Sequence, residues 1–181
     1  MYTKMFSLFK SKPKAKASCP QLGVFTQPIT TASQALTDIW LNNSNCAIDF
    51  IDIGTELWHC GRIPSFEHIE NNLALWTTRN PDHQDHYVGS AKSPNSFRPY
   101  QPTKMKLSTL RNLKAADFNT ASLLDFTVQH CATNHQIMKE TLRAWCVDQG
   151  LDAVVSINRG PDEVVIIYPA DDLKIVDTAS L

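Results

Sequence analysis

This chain is predicted to be an α+β domain. Strand-like runs gather towards both ends of its apolar portion, two firmly periodic helices separate them, and no internal repeat or Gly-x-Gly-x-x-Gly fingerprint points to another architecture. With 181 residues, of which 43% are hydrophobic, the chain can bury one sizeable core. It holds no apolar run approaching the ~20 residues that span a bilayer, so no integral membrane association is expected.

Residues 1–20 read as a lysine-rich, disordered tail. They carry Lys4, Lys10, Lys12, Lys14 and Lys16 and no acid. The apolar pairs Met5-Phe6 and Leu8-Phe9 are too short for a secretory core segment. The expected location is the cytoplasm where the chain is made, with delivery as an effector the alternative. Residues 21–181 are assigned to a single domain. They hold 12 of the 17 basic residues and all 18 acids, a balance of −6, which gives no blanket attraction to nucleic acid. Five widely spaced cysteines without a CxxC pair fit reduced thiols better than a disulfide framework or a zinc site.

Residues 31–41 show helical spacing, with Ser33 as N-cap and Asn42-Asn43 as the stop. Residues 48–53 and 56–59 read as strand, Phe66 and Ile69 mark a short helix ending at Asn71-Asn72, and 73–77 return as strand. Asn80-Pro81-Asp82 gives a cap, a first-turn proline and an acid, and so opens a helix that carries Tyr87. Residues 89–102, with Gly89, Pro94, Pro99 and Pro102, form a loop long enough to have a functional task. Strand is expected at 104–107, a turn of helix within 110–118, and firm helices at 122–131 and 135–149. Ile137, Leu142, Trp145 and Cys146 form the apolar stripe of the last helix and Gly150 its C-cap. Strands follow at 153–157 and 164–168, and an apolar segment at 173–176 closes the chain.

Three stretches carry chemistry. Leu57-Trp58-His59-Cys60-Gly61-Arg62 ends a strand with an imidazole beside backbone that a ligand can approach closely. Trp76-Thr77-Thr78 ends the next strand, and Tyr87 follows Trp76 on the helix beyond. Asp162-Glu163-Val164-Val165-Ile166-Ile167 places a carboxylate at the head of an apolar strand. Other pairings are weaker. His83 and His86 sit three apart with no obvious carboxylate or cysteine to complete a metal site, so no metal is expected. His59 and Cys60, adjacent on a strand, point to opposite faces and make a poor nucleophile pair.

In order and spacing, these stretches resemble the ADP-ribosyltransferase fold family, in its poly(ADP-ribose) polymerase and diphtheria-toxin-like branch with a His-Tyr-Glu triad. The likeness covers residues 46–178 and implies split antiparallel β-sheets with flanking helices. It implies an enzyme that consumes NAD as a substrate, breaking the nicotinamide–ribose bond through an oxocarbenium-like centre. Glu163 would stabilise that charge, and His59 would hold the adenosine-side ribose. Backbone at Cys60 and Gly61 would take the nicotinamide amide, while Trp76 and Tyr87 would sandwich its ring. Thr77 and Thr78 are similar to the Ser-Thr-Ser segment of the arginine-directed branch. The chain departs from the pattern at three places: Cys60 stands where glycine is usual, Trp76 where tyrosine is usual, and Pro161 where arginine-directed members carry an acid or glutamine. The resemblance therefore implies transfer of a single ADP-ribose to a macromolecule other than through arginine, to a protein in preference to a nucleic acid. A toxin or effector role would add a neutralising partner protein. The alternatives are an NAD glycohydrolase using the same site, and a catalytically inactive binding domain of the same fold.

Overall fold

The computed structural model describes residues 31–61, 73–84, 103–158 and 160–180. The tail at 1–20, the short helix expected around Phe66, Tyr87 and the loop at 89–102 lie outside those residues. Within them the fold is α+β: eight strands in one sheet, with helices gathered on one face.

Helix α1 (Thr31–Ser44) runs through the asparagine pair expected to stop it. Asn43 Nδ2 donates to the Ile39 carbonyl and Ser44 Oγ to that of Trp40, so side chains satisfy the groups that a helix end exposes. The helix stops when Asn45 and Cys46 enter the left-handed region at φ 51° and 58°. Strands β1 (Ile48–Ile51), β2 (Glu56–Gly61) and β3 (Leu75–Thr78) follow, then a 3₁₀ turn (Pro81–Gln84) where the expected helix opens, the continuation of that helix lying outside the described residues. Strand β4 (Thr103–Thr109) leads to β5 (Leu113–Ala121).

β5 corrects the helix expected within 110–118. Its alanines suit either structure, but Leu113 and Ala115 alternate into the core, with β1 hydrogen-bonded on one side and β6 on the other. Tertiary pairing overrides local propensity there. Helices α2 (Leu124–Cys131) and α3 (His135–Gln149) fall where the periodicity puts them. The side chain of Asn134 caps α3 by accepting from the amides of Gln136 and Ile137, and Gly150 closes it at φ 64°. The buried stripe of α3 runs through Met138, Leu142, Trp145 and Cys146, while Ile137 lies on the solvent side. Strands β6 (Ala153–Ile157), β7 (Glu163–Ile166) and β8 (Leu173–Ser180) complete the sheet, with a short helix α4 (Pro169–Asp172) before β8.

The strand order is β1-β5-β6-β7-β3-β2-β4-β8, and only β5–β6 is parallel, joined by the crossover through α2 and α3. Two separate sheets were expected; the hydrogen bonding instead forms one sheet, nearly divided where, among the described residues, a single bridge, Trp58↔Thr78, joins β2 and β3. Four strands lie between β5 and β4 in the order, yet residues 110–112 alone connect them. Flat strands would stand ~24 Å apart, and such a link reaches at most ~15 Å. The sheet must therefore fold over. Its β2-β4-β8 portion packs on the remainder, with Leu57, Met105, Leu107 and Leu173 clustered against Leu113, Ala153, Val164 and Ile166.

Arg111, within the short link, fixes this closure. Its Nε donates to Asp172 at 2.7 Å, ahead of β8, and its terminal nitrogen to Asp152 at 2.9 Å, ahead of β6. On the other face, α1 and α3 cover the sheet through Trp40 and Trp145, edge-on at 5.5 Å, with Phe118 5.6 Å from Trp145. Both indole N–H groups are satisfied, by the Ala47 carbonyl and by Thr37 Oγ1. None of the described helices is long and apolar enough to cross a membrane.

Candidate functional site

The three chemistry-bearing stretches, far apart in sequence, end on neighbouring strands in the order β7-β3-β2. Glu163 pairs with Thr78 across β7 and β3, and Thr78 pairs with Trp58 across β3 and β2. One transverse row thus joins the carboxylate, the threonine segment and the residue before His59. The row lies on the crease where the sheet folds over.

His59 occupies the position just past the last bridge. Its Nδ1 donates to the Trp76 carbonyl at 2.6 Å, where a continued ladder would have used main chain. A carbonyl only accepts, so Nδ1 carries a proton, and Nε2 is the ring's second nitrogen. That second nitrogen is buried against Gly61, which shares the face of β2 two positions on. A Cβ on Gly61 would stand 3.0 Å from Cδ2 of the ring and closer still to Nε2. Glycine is required here for close approach. Gly61 thus serves as the seat of the ring. Cys60 is buried on the opposite face.

Glu163 is buried, with its amide donating to the Gly160 carbonyl at 3.3 Å, where Gly160 adopts φ 121° to turn the chain into β7. Alternation puts Glu163 on the helix-covered face with Val165 and Trp76, and His59 on the other with Leu57. A molecule touching both must therefore pass through the crease and not lie along one face.

The remaining expected residues have distinct surroundings. Thr77 is fully buried and its Oγ1 donates to the Val164 carbonyl at 2.9 Å, a lock between β3 and β7. Trp76 is half-buried on the helical core, and the Lys139 ammonium of α3 stands 5.9 Å from its ring centroid. Burial lowers the Lys139 pKa. One face of the indole is thus occupied from within the protein. Tyr87, expected as the second aromatic face, lies outside the described residues.

Two features escaped the sequence. Thr78, and not Thr77, is the cross-strand neighbour of Glu163. Asp162, directly before Glu163, places Oδ2 3.5 Å from Nδ1 of His83 on the 3₁₀ turn, while Asn80 Nδ2 stands 3.4 Å from Nε2. The His83/His86 pair, the Asn80-Pro81 turn signal and the Asp162-Glu163 pair were visible beforehand, without any sign that His83 and Asp162 meet. Among the described residues, no group of three or more His, Cys, Asp or Glu side chains is arranged to hold a metal ion. Comparison of the chain with protein-family models, curated proteins and solved structures finds no match.

Proposed function

We propose that the protein is an NAD-dependent mono-ADP-ribosyltransferase, with the crease between β2, β3 and β7 as its site. The observation that carries this is the row Glu163–Thr78–Trp58, with His59 next to it, which brings three sequence-distant stretches onto adjacent strands. Cleavage of the nicotinamide–ribose bond needs a carboxylate where positive charge develops on the ribose. Glu163, buried at a strand head, supplies one in surroundings where a charge interacts more strongly than in water. His59, oriented by its Nδ1 bond to the Trp76 carbonyl, supplies an imidazole beside the row to hold a ribose hydroxyl.

The test is nicotinamide release from NAD by the purified protein, together with transfer of a labelled ADP-ribosyl group to cell extract. Glu163→Gln keeps the shape of the side chain and removes its charge. Turnover should fall by ~10²-fold or more with little change in NAD affinity, because the lost interaction belongs to the transition state. A folded Glu163→Gln protein with near-normal turnover would refute the mechanism. Free ADP-ribose as the sole product would make the protein a glycohydrolase, and absence of any release a binding domain.

A further inference from the structure

We propose that Asp172 is a proton-operated clasp: at neutral pH it closes the fold while bearing a surplus buried charge, and in mild acid it takes up a proton on Oδ2 and closes the fold more firmly. The inference goes beyond the transferase reading and does not depend on it.

The clasp sits where the sheet folds over. Arg111, in the link between β4 and β5, donates from Nε to Oδ1 of Asp172 at 2.7 Å and from a terminal nitrogen to Oδ1 of Asp152 at 2.9 Å. One cation thus serves two carboxylates, and the two are unequal. The Asp152 side chain is 23% exposed, and its Oδ2 accepts from the Lys114 amide at 2.9 Å. The Asp172 side chain is 0% exposed, and among the described residues its Oδ2 has no partner. Its main chain is pinned on both sides. The amide donates to the Tyr168 carbonyl at 2.9 Å, and the carbonyl accepts from the Leu110 amide at 2.8 Å. The carboxyl group is therefore held inside, with the half-exposed Arg111 between it and solvent.

The balance of charge gives the direction of the effect. With both acids ionised, the trio carries one more negative charge than Arg111 offsets, and the surplus falls on the group least able to reach water. Burial holds the Asp172 carboxyl above its ordinary pKa despite Arg111, and Asp152 and Asp171 add to the rise. Asp152 is the reverse case. Against burial, the bonds from Arg111 and the Lys114 amide hold its pKa down, with the Lys114 charge assisting. Cys146 on α3, the other titratable group close to Asp152, is kept a thiol by burial, and Lys174, the next charged residue on β8, is exposed. A proton on Oδ2 of Asp172 leaves Oδ1 to keep its bond from Arg111. The acid form thus loses the surplus charge and no contact.

A carboxyl whose pKa is raised by folding weakens the fold above that pKa and strengthens it as pH falls towards the unfolded value of ~3.9. Asp152 has the opposite sign and supports the fold until its own, lowered pKa is reached. The clasp is firmest in the interval where Asp172 is protonated and Asp152 is not.

The experiment follows the carboxyl carbons of isotope-labelled aspartate in the full-length protein by NMR across pH, with urea unfolding of wild type and Asp172→Asn at the same pH values. The Asp172 resonance should titrate with a midpoint above ~3.9. As pH falls from neutral, the folding constant of wild type should gain on that of Asp172→Asn, by tenfold for each pH unit by which the measured midpoint exceeds the unfolded one. In Asp152→Asn the Asp172 midpoint should fall, because Arg111 then serves one carboxylate. A midpoint at or below ~3.9 overturns the inference, as do equal pH slopes for wild type and Asp172→Asn, or a midpoint unmoved in Asp152→Asn. Should Asp172→Asn fail to fold, the wild-type titration and its response to Asp152→Asn decide the matter alone.

Discussion

Replacing Gly61 by alanine tests the construction of the site without any assumption about its ligand. The added Cβ falls on the His59 ring, 3.0 Å from Cδ2 and nearer to Nε2. Gly61 itself lies outside the left-handed region, so alanine fits its backbone and the effect is purely steric. The ring cannot back away, because Nδ1 is tethered to the Trp76 carbonyl at 2.6 Å. It must swing out and leave that carbonyl unbonded in a half-buried crease, which costs ~1–3 kcal/mol. Against this, glycine to alanine at an unstrained position gains ~0.4–1 kcal/mol through the unfolded chain. The net expectation is a loss of ~1–2 kcal/mol. In a His59→Ala background the obstacle is gone, and Gly61→Ala should instead stabilise by the unfolded-state amount. The two substitutions should couple by roughly 1.5 kcal/mol or more. Urea unfolding of the four proteins of this cycle, followed by tryptophan fluorescence, reads the coupling directly. Additivity within ~0.5 kcal/mol would show that the ring does not rest on Gly61.

Two further expectations concern the frame around the site. Burial pushes the Asp152 carboxyl upward, but hydrogen bonds from Arg111 and the Lys114 amide outweigh it and hold the pKa below its ordinary value. Such a group adds stability above the unfolded carboxylate pKa and loses it as pH falls through the folded one. Asp152→Asn should therefore cost ~1–2 kcal/mol at neutral pH, with the gap from wild type closing in acid; a gap that stays constant down to the acid limit would refute the role given to Asp152. Thr77→Val removes the donor to the Val164 carbonyl and should cost ~1–3 kcal/mol, measured by thermal melting, while leaving the NAD dissociation constant unchanged. Weakened NAD binding in a folded Thr77→Val protein would show that the hydroxyl serves the ligand.

Legibility in the sequence followed the range of the forces involved. Helix α3 was readable because its period and its terminal glycine are local signals, whereas its Asn134 cap, equally local, went unnoticed. The Ile137 position was misassigned by one residue because Met138 fits the same stripe and turns inward. β5 was misread because alanine-rich segments have no strong strand signature of their own; its structure comes from β1 and β6, which no local pattern reveals. The same limit governs the site. His59, Trp76 and Glu163 stood out together through the resemblance of their stretches to a known family, and their strands are neighbours. The seat at Gly61, the commitment of Thr77 to a carbonyl and the meeting of His83 with Asp162 all depend on register, which is a property of the folded sheet.

The crease is also where the sheet is most thinly bonded. β4 and β8 are zipped by seven registered pairs, whereas among the described residues β2 and β3 share one bridge and the His59 bond beyond it. The two portions are therefore joined less by the ladder than by the apolar cluster packed between them and by the Arg111 bonds. At the seam itself, main-chain bonding gives way to a side chain, so the imidazole of His59 takes the place of a missing rung between the two portions.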